Sequence, residues 1–389
     1  MKVKNLIIRE ILATNTKKTI EVELETEKGK VRTSVPIGTS KGKYEVTSLP
    51  IEDAIRKFLI IRRHFITQQF ANQEEVDNFI RTVDKTPNFK EIGGNVALAL
   101  SSIFLKGFAL EDNLEVFEHL LKKKPSMPRP ICNIVGGWAG TGASDIQEFH
   151  LMPIHQNSFL ESATKIANAY REVGNALKEK DQTFVFSRNL ESGWVTSLNV
   201  EDTLDILTKA ANENLLKIGL DLAASSLWDG KRYTYKNSGV YYTRTEQISF
   251  LEHLAEKFPI YFIEDPFHED DFVAFGVLTH RLHQKLICGD DLYATNLGRL
   301  KEGLLHKATN SMIIKPNQVG TISDVKKVVE EAKKNELMTV MSHRSGETED
   351  TLICHLAVGL NCDYIKLGIG GERALKINEL IRIEEWTKL

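Results

Sequence analysis

The chain reads as an α/β protein: a C-terminal β/α barrel of the TIM type, preceded by a smaller N-terminal α+β unit. Three observations lead there. Past residue 130, short apolar runs recur, each ending in a polar or charged residue, with helix-like stretches between them. The residues that close these runs are Asp221, Glu264, Asp290, Lys315, His343 and Lys366; they span 145 residues in five steps, 29 per step, close to the roughly 31 residues per unit of an eight-unit barrel. Residues 130–389 supply 260 positions, enough for about eight such units.

Taken in order, residues 3–35 read as strands. Val3–Leu12 is mostly apolar, TIEVELET (19–26) alternates apolar or β-branched with acidic residues, and EKGK (27–30) is a hairpin turn before VRTSV. A loop with two glycines follows, PIGTSKGK (36–43). Helical periods then dominate to about residue 122, in IEDAIRKFLIIRRHF, EEVDNFIRTV and GNVALALSSIFLKGFAL. The segment LLKKKPSMPRP (120–130) joins a lysine run to three prolines and marks a boundary. It divides an N-terminal unit, 1–124, from a barrel, 130–389. In the barrel, ISFLEHLAEKF and ISDVKKVVEEAKKN are helix-like crossovers, which parallel strands require.

Composition narrows the function classes. The chain has 389 residues, 42% hydrophobic and 26% charged, ordinary for a globular protein. A formal net charge of −3 offers no global attraction for nucleic acid or an anionic membrane. Four cysteines form no C-x-x-C pair, which suits a reducing, cytoplasmic setting. The N-terminus meets charge too soon for a signal peptide, and no apolar run approaches the roughly 20 residues of a membrane span.

In a β/α barrel the C-terminal strand ends converge on one mouth, where active sites are built. Three carboxylates gathered there repel one another unless a cation sits among them. Asp221, Glu264 and Asp290 are hard oxygen ligands suited to Mg²⁺. Lys315 and Lys366 close apolar strands two units apart, where a neighbouring cation disfavours the ammonium and tunes a lysine toward a base. In SHRSGETED (342–350), His343, Arg344 and Ser345 follow a strand directly, and an Arg fork with a hydroxyl is a clamp for an anion such as phosphate.

These strings together resemble the enolase family. IEDPF (263–267), GDDL (289–292), IIKPNQVGT (313–321), SHRSGETEDT (342–351), IGLDLAAS (218–225), DIQEF (145–149), RIEEW (382–386) and GNVALALS (94–101) are similar to its signatures, in its order. The shortened GIGGER (368–373) resembles archaeal members most. The resemblance implies a three-stranded, helix-backed capping domain and an enolase-type barrel that opens with an antiparallel ββαα unit. It implies dehydration of 2-phosphoglycerate to phosphoenolpyruvate, the phosphopyruvate hydratase reaction of glycolysis, with two Mg²⁺ per site. Asp221, Glu264 and Asp290 would ligate the first Mg²⁺, and Ser40 in the 36–43 loop would reach the second. Lys315 would take the α-proton; Glu191 with Glu148 would help hydroxide leave. Lys366 would neutralise the substrate carboxylate, Arg344 and Ser345 would hold the phosphate beside His343, and Gln147 would support the site. The implied partner is a small phosphorylated carboxylate, with no nucleic acid and no membrane, and with room for a homo-oligomer.

Three positions depart from the family pattern. NIVGGWAGTGASDIQEF has no His where the family carries GGxHAG; the position falls on Gly140 or in a gap, and His150 lies beyond the Gln-Glu pair. The family's GDEGG is NLESG (189–193), with Leu190 before Glu191, and its DSRGNPT hairpin, whose Arg is tied to the dimer contact, is ATNTKKT (13–19). The alternative reading is therefore an enolase-like protein with an altered substrate or without turnover.

Overall fold

The computed structural model describes residues 1–38, 42–121, 124–137 and 144–388. Strands β1 (Asn5–Leu12), β2 (Lys18–Glu25) and β3 (Lys30–Ser34) form an antiparallel sheet with β2 in the middle. The alternation in TIEVELET becomes two faces. Ile20, Val22 and Leu24 are fully buried, while on the opposite face Glu23 lies 2.8 Å from Arg32 and 3.0 Å from Arg9. Hydrogen bonds from those two guanidiniums hold the Glu23 carboxyl down at about 2. The β2–β3 turn runs through Gly29 at φ 144. The β1–β2 turn puts Thr16 at φ 62, fixed by Thr16 N–H donating to Ala13 and Ala13 N–H donating to Lys17.

Helices α1 (Ile51–Thr67), α2 (Gln73–Val83), α3 (Gly94–Asp112) and α4 (Val116–Leu120) back the sheet. The first two bury one stripe each. The third is apolar nearly all round and is buried nearly all round, between sheet and barrel. Among the described residues it is the one helix long and apolar enough to cross a membrane, and 83% of that window is buried inside the fold.

The barrel strands are β4 (Arg129–Gly136), β5 (Glu148–Pro153), β6 (Leu216–Asp221), β9 (Ile260–Glu264), β10 (Leu286–Gly289), β11 (Ser311–Ile314), β12 (Met338–Ser342) and β13 (Tyr364–Gly368). They close in the order β10-β11-β12-β13-β4-β5-β6-β9. All neighbours are parallel except β4–β5 and β5–β6. Helices α5 (Phe159–Lys180) and α6 (Val200–Asn214) follow β5, so the opening unit is ββαα, as the resemblance implied. The long first step, Asp221 to Glu264, contains a two-stranded excursion, β7 (Tyr233–Tyr235) with β8 (Val240–Tyr242), before α7 (Arg244–Lys257). Further round the ring lie α8 (Phe272–Arg281), α9 (Leu297–His306), the short α10 (Pro316–Val319), α11 (Ile322–Lys334), α12 (Leu352–Gly359) and α13 (Ala374–Trp386). Helix starts carry the local signals that make them: Ser158 accepts Glu161 N–H ahead of α5, and Thr243 with Glu246 forms a capping box at α7.

Period two along each strand divides the barrel interior into layers. Ile131, Met152, Phe262, Cys288, Ile313, Val340 and Tyr364 pack together as an apolar plug. Two residues nearer the mouth stand Asn133, His150, Glu264, Asp290, Lys315, Ser342 and Lys366. The first five marked residues lie at or just past strand ends, and Lys366 lies two residues inside β13.

The N-terminal unit sits against the mouth. Asp350, ahead of α12, accepts from Thr33 Oγ1 at 2.7 Å, Ser34 N–H at 2.9 Å and Lys106 Nζ at 2.8 Å. The Ile37 and Gly346 backbones pair, and the 13–19 turn touches the same loop through Thr14, whose N–H donates to Glu347 O. A β-branched residue at φ 62 is strained. Thr16→Gly is therefore expected to stabilise the fold by about 1 kcal/mol, read as a raised midpoint in urea denaturation; an unchanged or lowered midpoint would refute the strain.

Candidate active site

A cavity of about 340 Å³ opens at the barrel mouth, lined by Gln147, Glu148, Glu191, Asp221, Asp290, Lys315, His343, Arg344, Ser345 and Lys366 among others. Glu264 lies beneath it with no exposed surface. The structure thus brings together every anticipated site residue but one: Ser40 lies outside the described residues, as do Trp138 and Gly140 of the loop without a histidine.

The Lys366 ammonium, almost fully buried, holds three carboxylates at once: Asp221 Oδ2 and Glu264 Oε2 at 2.8 Å and Glu148 Oε2 at 2.9 Å. Burial works against its charge, yet Asp221, Glu148 and Glu264 outweigh it and raise its pKa well above that of ordinary lysine. It was expected to face a substrate carboxylate; here it faces the chain's own. Lys315 bonds Asp290 Oδ2 in the same way. Burial lowers and Asp290 raises, and the net shift is upward, opposite to the depression expected of a base beside a cation. The expectation required a cation on Asp290, and the lysine itself now fills that role.

Three further bonds hold the Asp221 and Asp290 carboxylates. Ala223 N–H donates to Asp221 Oδ1 at 3.0 Å and Gln147 Nε2 to Asp221 Oδ2 at 3.4 Å. Gln318 Nε2 donates to Asp290 Oδ1 at 3.2 Å, oriented by Thr295, which also accepts Lys315 N–H at 2.9 Å. Glu264 Oε1 is buried with no hydrogen-bond partner among the described residues. Burial first, then the Asp221 charge, pushes the Glu264 carboxyl well above the usual range. An orphaned carboxylate oxygen beside two further hard-oxygen donors fits a divalent cation. Asp265, Asp290 and Asp291 also come within 4.8 Å of one another. However, both Asp265 oxygens already accept backbone N–H bonds, from Asp290 at 2.9 Å and Asp291 at 2.7 Å. Asp265, at φ 40, therefore shapes the turn that aims Asp290.

Glu148 and Glu191 lie within hydrogen-bond reach of each other and shift in opposite directions. Burial, then the Glu191 charge, lifts Glu148 well above the carboxylate range. Burial would lift Glu191 too, but the bond with Glu148 and the nearby His343 ring and Lys366 ammonium hold it well below. His343 Nδ1 takes a hydrogen bond from Arg373 Nη1 at 3.2 Å, so its proton is on Nε2, 3.6 Å from Glu191 Oε2. Burial, against Glu191, brings its pKa down to about 4, so the ring is neutral near pH 7.

Arg344 is almost fully buried and its guanidinium meets both Glu45 oxygens and Asn317 Oδ1 at 3.2 Å. Glu45 follows the 36–43 loop, so the N-terminal unit supplies the anion at the place assigned to a phosphate. Glu45 was not anticipated, and only its position two residues past that loop pointed to it. Arg373, quoted in GIGGER but given no role, is 1% exposed. It donates to the carbonyls of Arg344 at 2.8 Å and of Leu190 and Ser345 at 2.6 Å, tying the loop of His343, Arg344 and Ser345 to that of Glu191.

In the eight-stranded ring β11, which carries Lys315, stands four places from β5, which carries Glu148. Lys315 and the Glu148–Glu191 pair thus stand on opposite walls, with the carboxylates of Asp221, Glu264 and Asp290 on the arc β6-β9-β10 between them. This is the equipment of a lyase that removes a weakly acidic carbon-bound proton and expels a group from the next carbon. Family models agree over almost the whole chain: residues 3–120 match the enolase N-terminal domain and residues 124–388 the enolase C-terminal TIM barrel domain. Among curated relatives named enolase, that of Methanosphaera stadtmanae is 38% identical over 98% of this chain and 97% of its own. That of Methanothermobacter thermautotrophicus is 36% identical over 98% and 96%, and that of Natronomonas pharaonis 37% over 97% of each. The chain belongs to the enolase family, in its archaeal type, and with it to the carbon–oxygen lyases of the phosphopyruvate hydratase class.

Arg373 joins three carbonyls from two loops. Arg373→Met is expected to lower stability by about 2 to 3 kcal/mol, measured by urea denaturation. A loss under about 0.5 kcal/mol, the range of an ordinary surface change, would refute its bridging role.

Proposed function

We propose that this chain carries out the full dehydration of 2-phosphoglycerate to phosphoenolpyruvate. The observation that carries this reading is the opposition of Lys315 and the Glu148–Glu191 pair across one cavity. The α-proton of 2-phosphoglycerate is a very weak acid, and removing it builds an enediolate whose charge must be met as it forms. Lys315 takes that proton once Asp290 no longer holds its ammonium. On the other wall the Glu148–Glu191 pair holds a proton ready for the leaving hydroxide. Arg344 and Ser345, with His343 beside them, bind the phosphate, Arg344 exchanging Glu45 for it. We assign Lys366, held here by Asp221, Glu264 and Glu148, to neutralising the substrate carboxylate, and Gln147 keeps Asp221 in place. We assign Asp221, Glu264 and Asp290 to one Mg²⁺ and Ser40 to a second. The two ions supply electrostatic stabilisation of the enediolate when bound. We further infer a capping unit over 1–124, a catalytic barrel over 130–389 and a reducing, cytoplasmic setting; the four cysteines are all buried and free.

The activity test is direct. Purified protein with Mg²⁺ and 2-phosphoglycerate should form phosphoenolpyruvate, followed by its absorbance, and Lys315→Ala should lose about 10²- to 10⁴-fold in kcat. No product from the intact chain, or full activity in Lys315→Ala, would overturn the reading. The metal assignment has a readout without turnover. Mg²⁺ should stabilise the chain by about 2.7 kcal/mol at a hundredfold excess over its Kd, and Glu264→Gln should abolish the shift in melting temperature. An undiminished shift in that variant would refute Glu264 as a ligand.

A further inference from the structure

His150 belongs to DIQEFH on β5 and was set aside in the sequence as lying beyond the Gln-Glu pair. It is fully buried in the barrel interior, between the apolar plug and the cavity. Its space is made across the strand pair: His150 stands opposite Gly219 on β6, and a Cβ at Gly219 would come within 3.2 Å of both His150 Cβ and Nδ1. The Phe262 ring closes another side, at 6.1 Å between centroids. A polar ring here is buried among interior side chains, and such a burial needs a compensating bond. That bond is made by Nε2, 2.6 Å from Glu148 Oε2.

The direction of the bond follows from its surroundings. Burial, followed by the Lys366 charge, keeps His150 well below its usual pKa and so neutral. Nδ1 has no partner among the described residues, so the single ring proton sits on Nε2 and is donated to Glu148. Glu148 Oε2 therefore accepts from His150 on one side and from Lys366 at 2.9 Å on another. With Oε2 engaged by two donors, Oε1 is the oxygen left to bond Glu191.

We propose that His150 is a positioning residue for the acid side of the reaction, holding Glu148 by Oε2 so that the proton it shares with Glu191 is presented to the leaving hydroxyl. As the carbon–oxygen bond breaks, its electron pair leaves with the oxygen, the proton of the pair joins that oxygen, and water departs. His150 does not touch the substrate and takes no part in removing the α-proton, which is the work of Lys315 on the opposite wall. The inference rests on the dehydration proposed above.

The two walls can be read separately. Exchange of the α-hydrogen of 2-phosphoglycerate with D₂O, followed by NMR, reports proton removal; phosphoenolpyruvate absorbance reports the whole reaction. In His150→Leu, kcat for phosphoenolpyruvate should fall about tenfold to a hundredfold, the effect of losing one hydrogen bond to a charged group. KM should change little and α-hydrogen exchange should persist. His150→Gln, whose amide nitrogen lies at the level of the histidine Nε2 and can donate to Glu148, should recover most of the lost rate. Where the Leu variant does not fold, His150→Met fills the same space without a donor and carries the same measurements. The proposal is overturned by a full dehydration rate in the Leu or Met variant, by exchange and dehydration falling together in a folded variant, or by a Gln variant no better than Leu. An intact chain that forms no phosphoenolpyruvate overturns the proposed function itself, and this inference with it.

Discussion

Everything at the barrel mouth depends on where the Lys366 ammonium lies. Period-two alternation forces Glu148, Asp221 and Glu264 into one buried layer, and like charges so close and so poorly solvated resist ionisation. One ammonium within 2.9 Å of all three is the compensation the fold provides. Its place two residues inside β13, level with the carboxylates rather than above them, makes that possible. Lys315 repeats the device for Asp290 on the next arc. The site is thus a set of carboxylates organised around two lysines, and a divalent cation entering it competes with ammonium groups for oxygens already aimed inward.

The N-terminal unit is part of this arrangement rather than a cover laid over it. Asp350 joins β3 and α3 to the start of α12, and Glu45 meets the buried Arg344. A buried guanidinium without an anion would be costly, as would the carboxylate left behind. Arg373 works from the other side and keeps the His343–Ser345 and Leu190–Glu191 loops in one register. Leu190, standing where the family has an acidic residue, is held there through its carbonyl, a contact indifferent to its side chain.

Much of this was legible in the chain. The 29-residue spacing and the strand-terminal Asp221, Glu264, Asp290, Lys315 and His343 reflect short-range rules: strands alternate, crossovers have a minimum length, and strand ends face the mouth. The β7–β8 excursion was hidden inside the one long step, because a short surface hairpin leaves barrel closure unchanged. Glu45, Asp265, Arg373 and His150 carried no signal of comparable strength. Each acts on a residue distant in sequence or through a backbone turn, and neither kind of bond leaves a periodic trace.

The sequence by itself determined the architecture, the family, and the residue types that ring the mouth, since these follow from local periodicity and from motifs whose spacing is intact. Only the tertiary structure decided which charges neutralise which. Lys366 on three carboxylates, Glu45 on Arg344 and His150 beneath Glu148 are choices made by burial, where an ion takes whatever partner the packing brings within about 3 Å.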